Sequence, residues 1–233
     1  SSGAITLGSS SVGTYTVTYS IAASGGCSAF STTATVAVNN APSATIAYSG
    51  SPYCTSGGTA DVTHTGTGGG TYNGSPSGLS INTGTGAIDL GASQPGSYTV
   101  IYTIAASGGC SMFQTTTTLV ISSAPSATIN YAGSPYCTDG GFAAVTRTGS
   151  GGGTFSASPA GLSINVGTGS INLGTSAAGT YTVTYAFTAG GGCAAFNTTA
   201  TVTLDQAPSA TIGYEGTPYC NAGGTADVTR TGT

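Results

Sequence analysis

Tyr98-Thr99-Val100-Ile101-Tyr102-Thr103-Ile104 decides the fold. Tyr98, Val100, Tyr102 and Ile104 fall on one face of an extended chain, and Thr99 and Thr103 on the other. Alternation with period two in β-branched and aromatic residues is the mark of a half-buried strand. The same ladder reads Tyr15, Val17, Tyr19, Ile21 earlier and Tyr181, Val183, Tyr185, Phe187 later, so each step is 83 residues. Around it the whole chain repeats. Ala41-Pro42-Ser43-Ala44-Thr45-Ile46 returns at Ala124 and Ala207, each time followed by a Tyr-x-Gly-x-Pro-Tyr-Cys stretch.

The period divides the chain into residues 1–40 (the back of a repeat), 41–123 and 124–206 (two complete repeats), and 207–233 (the front of another). Neighbouring copies are expected to complete the two partial repeats. Further strands are expected near 43–48, 59–65, 70–73, 79–82, 86–90 and 113–121, punctuated by Gly-Gly, Ser-Gly and Gly-Thr-Gly clusters. No stretch sustains apolar residues at helical spacing. About seven short strands per repeat predict an all-β fold, a tandem array of immunoglobulin-like β-sandwiches. An array of this kind works through length, stiffness and surface.

Composition removes several functions. The chain has two basic and six acidic residues. Phosphate neutralisation needs a basic footprint, so nucleic acid is excluded as a partner, as is an anionic membrane surface. Apolar runs fall far short of the roughly 20 residues that cross a bilayer, so no membrane insertion is expected. Without lysine, lysine–asparagine isopeptide cross-links cannot form in this segment.

Gly78-Leu79-Ser80-Ile81-Asn82-Thr83-Gly84-Thr85-Gly86-Ala87-Ile88 resembles the Gly-Leu-x-Ile-Asn-x-x-Thr-Gly-x-Ile signature of bacterial immunoglobulin-like and cadherin-like repeats. Gly96-Ser97-Tyr98-Thr99-Val100 resembles their penultimate strand. With Pro52-Tyr53-Cys54 and Gly108-Gly109-Cys110 added, the pattern is similar to tandem repeats of very large surface proteins of Bacteroidota. That resemblance implies type IX secretion and a place in gliding or attachment adhesins.

Cysteine is the one reactive residue type kept at every equivalent position. Cys27, Cys110 and Cys193 share one site; Cys54, Cys137 and Cys220 share the other. The spacing fits no Cys-x-x-Cys zinc or redox arrangement, and an even count on an exported β-array points to disulfides. Pairing within repeats would give Cys54–Cys110 and Cys137–Cys193. In a sandwich, however, the loops before the second strand and after the sixth lie at opposite ends, some 20–25 Å apart by strand rise. A disulfide needs Cα atoms within about 7 Å. A bond between repeats, Cys54–Cys193, is therefore favoured, with within-repeat pairing as the alternative.

No catalytic, cofactor-binding or metal site is expected. The one histidine, His64, is replaced by Arg147 and Arg230 at its equivalents. By parity with Val62, Val145 and Val228, all three should pack their stems at a core edge and hold their heads in solvent. Asp61 becomes Ala144 and then Asp227, and Asp89 becomes Asn172, so no paired carboxylates persist for acid–base work. Calcium needs six to eight converging oxygens, and only Asp205 and Glu215 flank a junction. The Gly runs at 68–70 and 151–153 lack the Lys-Ser/Thr ending of a phosphate loop and read as turns. Exposed threonines at 115–118 and 198–201 read as ordinary solvated strand faces. The expected role is the structural shaft of a secreted bacterial surface adhesin or extracellular filament, whose partners are neighbouring repeats of the same or identical chains. The alternative is a binding module whose repeat loops hold a glycan or other external surface.

Overall fold

The computed structural model describes residues 3–232. It divides between Ser123 and Ala124 into two compact units. The first holds β1 (Gly13–Ile21), β2 (Phe30–Val38), β3 (Ala44–Ala47), β4 (Tyr53–Cys54) and β5 (Thr59–Ala60). It continues with β6 (Thr63–Gly66), β7 (Thr71–Ser75), β8 (Ile88–Asp89), β9 (Gly96–Ile104) and β10 (Phe113–Ser122). The second repeats the series from β3 onward as β11 (Ala127–Asn130), β12 (Tyr136–Cys137), β13 (Phe142–Ala143), β14 (Thr146–Gly149) and β15 (Thr154–Ser158). Then come β16 (Ile171–Asn172), β17 (Gly179–Phe187), β18 (Phe196–Asp205), β19 (Ala210–Tyr214) and β20 (Val228–Gly232).

Each complete repeat is a two-layer immunoglobulin-like sandwich. One layer is a four-stranded sheet, in the order β4-β10-β9-β7 and again β12-β18-β17-β15. The other is made of short antiparallel pairs, β3 with β6 and β5 with β8, matched by β11 with β14 and β13 with β16. The core lies between them. Tyr98, Val100, Tyr102, Leu119 and Ile121 of the large sheet meet Ile46, Ala60, Ile88 and Leu90 of the small one. Val100 and Ile88 are fully buried, as are their equivalents Val183 and Ile171. Each such aliphatic side chain contributes about 1.5–3 kcal/mol on leaving water.

The tyrosine ladder does more than fill the core. Tyr98 donates its hydroxyl to the Gln94 carbonyl at 2.8 Å, and Tyr181 to that of Ala177 at 2.8 Å. Tyr15 does the same to Ser11 at 2.7 Å. This is a tyrosine corner: a ring at the start of a strand, buried in the core at Tyr98 and Tyr181, with its hydroxyl tying back the loop that leads into it.

The stretch expected as one strand at 59–65 is two, β5 paired with β8 and β6 paired with β3, and two further strand readings change. Residues 79–82 form no strand, only a single bridge between Ile81 and Ile88. Asn82 accounts for this. Its side-chain oxygen accepts from the amides of Gly84 at 2.9 Å and Thr85 at 3.0 Å, which bends the chain into a turn instead of a ladder. Gly86 closes that turn at φ +77, and an added Cβ there would meet Val62 at 2.8 Å, so the position demands glycine. The second change is β4. Two residues after a proline carry no alternating pattern, yet Tyr53 and Cys54 pair in parallel with Ile121 and Ser122 at the end of β10.

Candidate functional site at the repeat junctions

The two cysteine sites lie at opposite ends of the repeat's last strand. Cys54 pairs with Ser122, the final residue of β10, and the Thr55 amide donates to the Ser122 carbonyl at 3.0 Å. Cys137 is likewise opposite Asp205 at the end of β18. There the Thr138 amide donates to the Asp205 carbonyl at 3.0 Å, and the Ala207 amide donates to the Thr138 hydroxyl at 3.1 Å. The first cysteine site is thus fixed where one repeat ends and the next begins.

The second site is the turn between the two longest strands of a repeat. Ser107 and Cys110 close it with reciprocal backbone hydrogen bonds of 3.2 and 2.9 Å, and Gly190 and Cys193 do so at 3.0 and 2.9 Å. In the first unit this turn meets the residues that precede its repeat. Asn39 donates its side-chain amide to the Gly108 carbonyl at 2.9 Å, and the Cys110 thiol donates to the Asn40 carbonyl at 3.4 Å. Pro42, Thr67 and Ile104 complete the contact around a pocket of about 290 Å³. So a turn cysteine lies against the last residues of the preceding repeat.

Cys54 and Cys193 are disulfide-bonded. Cys27, Cys110, Cys137 and Cys220 are free thiols. The within-repeat pairs Cys54–Cys110 and Cys137–Cys193 therefore do not form. The ten residues of β10 explain why. At about 3.3 Å of rise each they set its ends about 30 Å apart, against the roughly 7 Å a disulfide spans.

The remaining candidates resolve into structural roles. His64 does not hold its head in solvent: its Nε2 is buried without a hydrogen-bond partner, and its ring meets Tyr102 edge-on at 4.9 Å. Arg147 at the equivalent position donates to the carbonyls of Gly149 at 3.2 Å and Ser150 at 2.7 Å. Asp89 accepts from the Ala92 amide at 3.1 Å and so organises a turn. The Gly68–Gly70 run is a turn as well, with the Gly70 amide donating to the Tyr102 hydroxyl at 2.9 Å. Among the described residues no group of three or more His, Cys, Asp or Glu side chains is placed to hold a metal. Burial pushes the phenols of Tyr48 and Tyr131 up, the latter to about 12. Both donate to backbone carbonyls, Gly86 and Gly169, at 2.5 Å.

The sequence reading missed Asn39 and Asn40. Asn39 is matched by Ser122 and Asp205 in the other copies, so repetition gives no signal that its side chain touches the following turn.

Fold and junction together define a tandem immunoglobulin-like repeat protein. No protein-family model matches the chain, and no curated protein is detectably similar to it. Solved structures do resemble it. Drosophila N-cadherin, over four cadherin repeats, aligns at 11% identity and a TM-score of 0.43, with 76% of this chain and 52% of that one covered. The insect immune protein hemolin aligns at 13% identity and 0.40, with 71% and 47% covered. Protocadherin gammaB7 aligns at 13% and 0.36, with 90% and 60% covered. The chain thus spans about half the length of the first two. At these identities the likeness is one of fold.

Proposed function

We propose that this chain is a stretch of the shaft of a secreted bacterial surface adhesin or extracellular filament, built from 83-residue immunoglobulin-like repeats at 1–40, 41–123, 124–206 and 207–233. The observation that carries the reading is the junction. The segment Asn39–Asn40 leads into the next repeat with no linker, and the following repeat's turn hydrogen-bonds to it. Few free dihedrals and a side-chain clasp leave little hinge freedom. The motif resemblance to Bacteroidota surface proteins supports export through type IX secretion and attachment or gliding as the setting.

On this reading Cys54 and Cys193 are joined to each other, as a covalent clasp between consecutive repeats. Three observations support the pairing. Both are disulfide-bonded while their within-repeat candidates are free thiols. Cys54 sits beside the last strand's final residue. In the first unit, the turn cysteine equivalent to Cys193 lies 3.4 Å from the end of the preceding repeat.

Electron microscopy of the native material tests the shaft reading. A thread about 20–30 Å wide, two sheets about 10 Å apart plus side chains, with one axial period per repeat, is the expected image. Compact particles without axial periodicity, or strong glycan binding by a single repeat, would overturn it.

A further inference from the structure

The small layer of the second repeat carries neutral polar side chains around one exposed aromatic ring. In β13 and β16, Ala143 and Ile171 are buried, so by alternation Phe142, Ser170 and Asn172 face outward. Phe142 lies directly opposite Asn172. The Asn172 backbone amide donates to the Ser163 carbonyl at 2.8 Å, and that of Asn165 to the Ser170 carbonyl at 2.9 Å, so a third segment extends the sheet. These residues and Thr168 line an open pocket of about 370 Å³, and no ionisable side chain is among its described lining. All of them belong to one complete repeat.

Two observations separate this face from a plain solvated sheet. Phe142 is 72% exposed, more than any other large apolar residue of the two complete repeats. It stands outside the core cluster of its repeat, so packing gives no reason for an aromatic ring there. The second observation is the first repeat, which holds the same frame with other contact groups. Ser163, Asn165 and Thr168 are Ser80, Asn82 and Thr85 there. Asn82 and Asn165 build the same turn, each accepting from two backbone amides through its side-chain oxygen. The positions that change are Phe142, Ser170 and Asn172, which are Thr59, Ala87 and Asp89 in the first repeat. A ring replaces a hydroxyl, a hydroxyl replaces a methyl, and a neutral amide replaces a carboxylate.

We propose that this face binds a neutral hexose unit of a polysaccharide, with the sugar ring stacked on Phe142. A pyranose has a face of C–H groups that an aromatic ring covers, and a rim of hydroxyls that both donate and accept. Asn172 offers a carbonyl oxygen and an NH2 group, and Ser163 and Ser170 offer hydroxyls. Asn165 commits its side-chain oxygen to the amides of Gly167 and Thr168 at 3.0 and 2.9 Å, which fixes the side chain and leaves its NH2 group to donate. A uronic acid would bring a carboxylate that loses water without meeting a cation, so the uncharged sugar is selected. β-Linked glucose suits the ring best, because its hydroxyls are all equatorial and both of its faces are C–H. An open site with one ring binds in the millimolar range. It adds a weak lateral grip to the shaft and leaves the axial repeat as it is.

NMR titration of the 233-residue chain with cellohexaose tests the site. The side-chain amides of Asn165 and Asn172 are expected to shift at millimolar ligand, while that of Asn82 stays in place. Phe142→Thr installs the first repeat's own residue, so the fold should hold, and binding should weaken roughly tenfold with loss of the aromatic contact. The combined change Thr59→Phe, Ala87→Ser and Asp89→Asn should create a second site in the first repeat, seen as new shifts at Asn82. Hexagalacturonate, an acidic oligomer, should shift none of these amides. Absence of shifts at Asn165 and Asn172 would overturn the inference. So would equal binding by Phe142→Thr, a first repeat that stays silent after the combined change, or an equal response to the acidic oligomer. Weak binding at this face and its absence alike leave the shaft reading standing, since that reading is tested by the axial period of the native material.

Discussion

Replacing His64 by Arg should stabilise the first complete repeat, because the second repeat already shows the better solution. His64 lies in β6 opposite Ile46, with its Nε2 buried and unpaired. A buried polar atom without a partner costs about 1–3 kcal/mol. Arg147, at the same place in β14, satisfies itself with two carbonyls and rests its guanidinium 5.6 Å from the Tyr185 ring centre. The acceptors it uses exist in the first repeat too. Thr67, the counterpart of Ser150, accepts from the Tyr102 hydroxyl at 3.2 Å, as Ser150 accepts from Tyr185 at 3.3 Å. His64→Arg would therefore remove the unpaired nitrogen and add two charge-assisted hydrogen bonds and a cation–π contact of about 0.5–1 kcal/mol. Ordering a long side chain costs up to about 2 kcal/mol. The balance is a gain of about 1–2 kcal/mol, or roughly 5–10 °C in the melting midpoint of a domain this size. Scanning calorimetry measures it, with amide exchange along β3 and β6 assigning the gain to the first unit. The reciprocal Arg147→His should lower the second unit's midpoint. An unchanged or lower midpoint for His64→Arg would refute the reasoning.

Three further outcomes are expected. Tyr131 keeps its proton in the fold to about pH 12, whereas an unfolded tyrosine releases it near 10. The stability this phenol contributes is therefore fully present below pH 10 and lost as pH rises from about 10 towards 12; Tyr131→Phe should flatten that decline in an alkaline denaturation series. On the proposed Cys54–Cys193 pairing, Cys54→Ser should raise the thiols titrated in denaturant from the four free ones to five by releasing Cys193, with the circular dichroism unchanged. A count held at four, or loss of the β-sheet spectrum, would remove the clasp. Tyr98→Phe should cost about 1 kcal/mol by leaving the Gln94 carbonyl without its donor, visible as a lower urea midpoint at constant slope.

The fold was legible where periodicity is strong. Tyr98, Val100 and Tyr102 alternate because β9 has one face in the core, and a period of two survives any detail of packing. It was illegible where pairing is short. β4 is two residues long, too few to alternate, and exists because β10 offers its edge. Residues 79–82 looked like a strand because Leu79 and Ile81 alternate, but both pack at the rim of the core while Asn82 bends the chain back. At the junction the cysteines were visible from repetition alone. Asn39 was not, since what it contributes is a side chain that its counterparts lack, and its partner is 69 residues away. The burial of His64 was misread for a similar reason: parity gave the face of β6 correctly but said nothing of how deeply the Tyr102 ring covers it.

The two complete repeats also act as a mutational experiment on each other. Their cores exchange freely within nearly constant volume: Tyr72 for Phe155, Leu119 for Val202, Ile121 for Leu204. A sandwich needs only shape and hydrophobicity at those places, so such swaps cost little. The ends behave otherwise. Pro-Tyr-Cys beside the last strand's end, and the Gly-Gly-Cys turn at its start, are the same in every copy. The turn glycines have a local reason, since Gly108 and Gly109 hold φ at +59 and +81 and Gly191 and Gly192 at +58 and +78. The cysteines have none inside a single repeat, where β10 holds them about 30 Å apart. On the proposed pairing, their use lies in the neighbouring repeat. On the proposed shaft reading, function resides in the ends of the repeats, and the sandwich between them sets the distance from one end to the other.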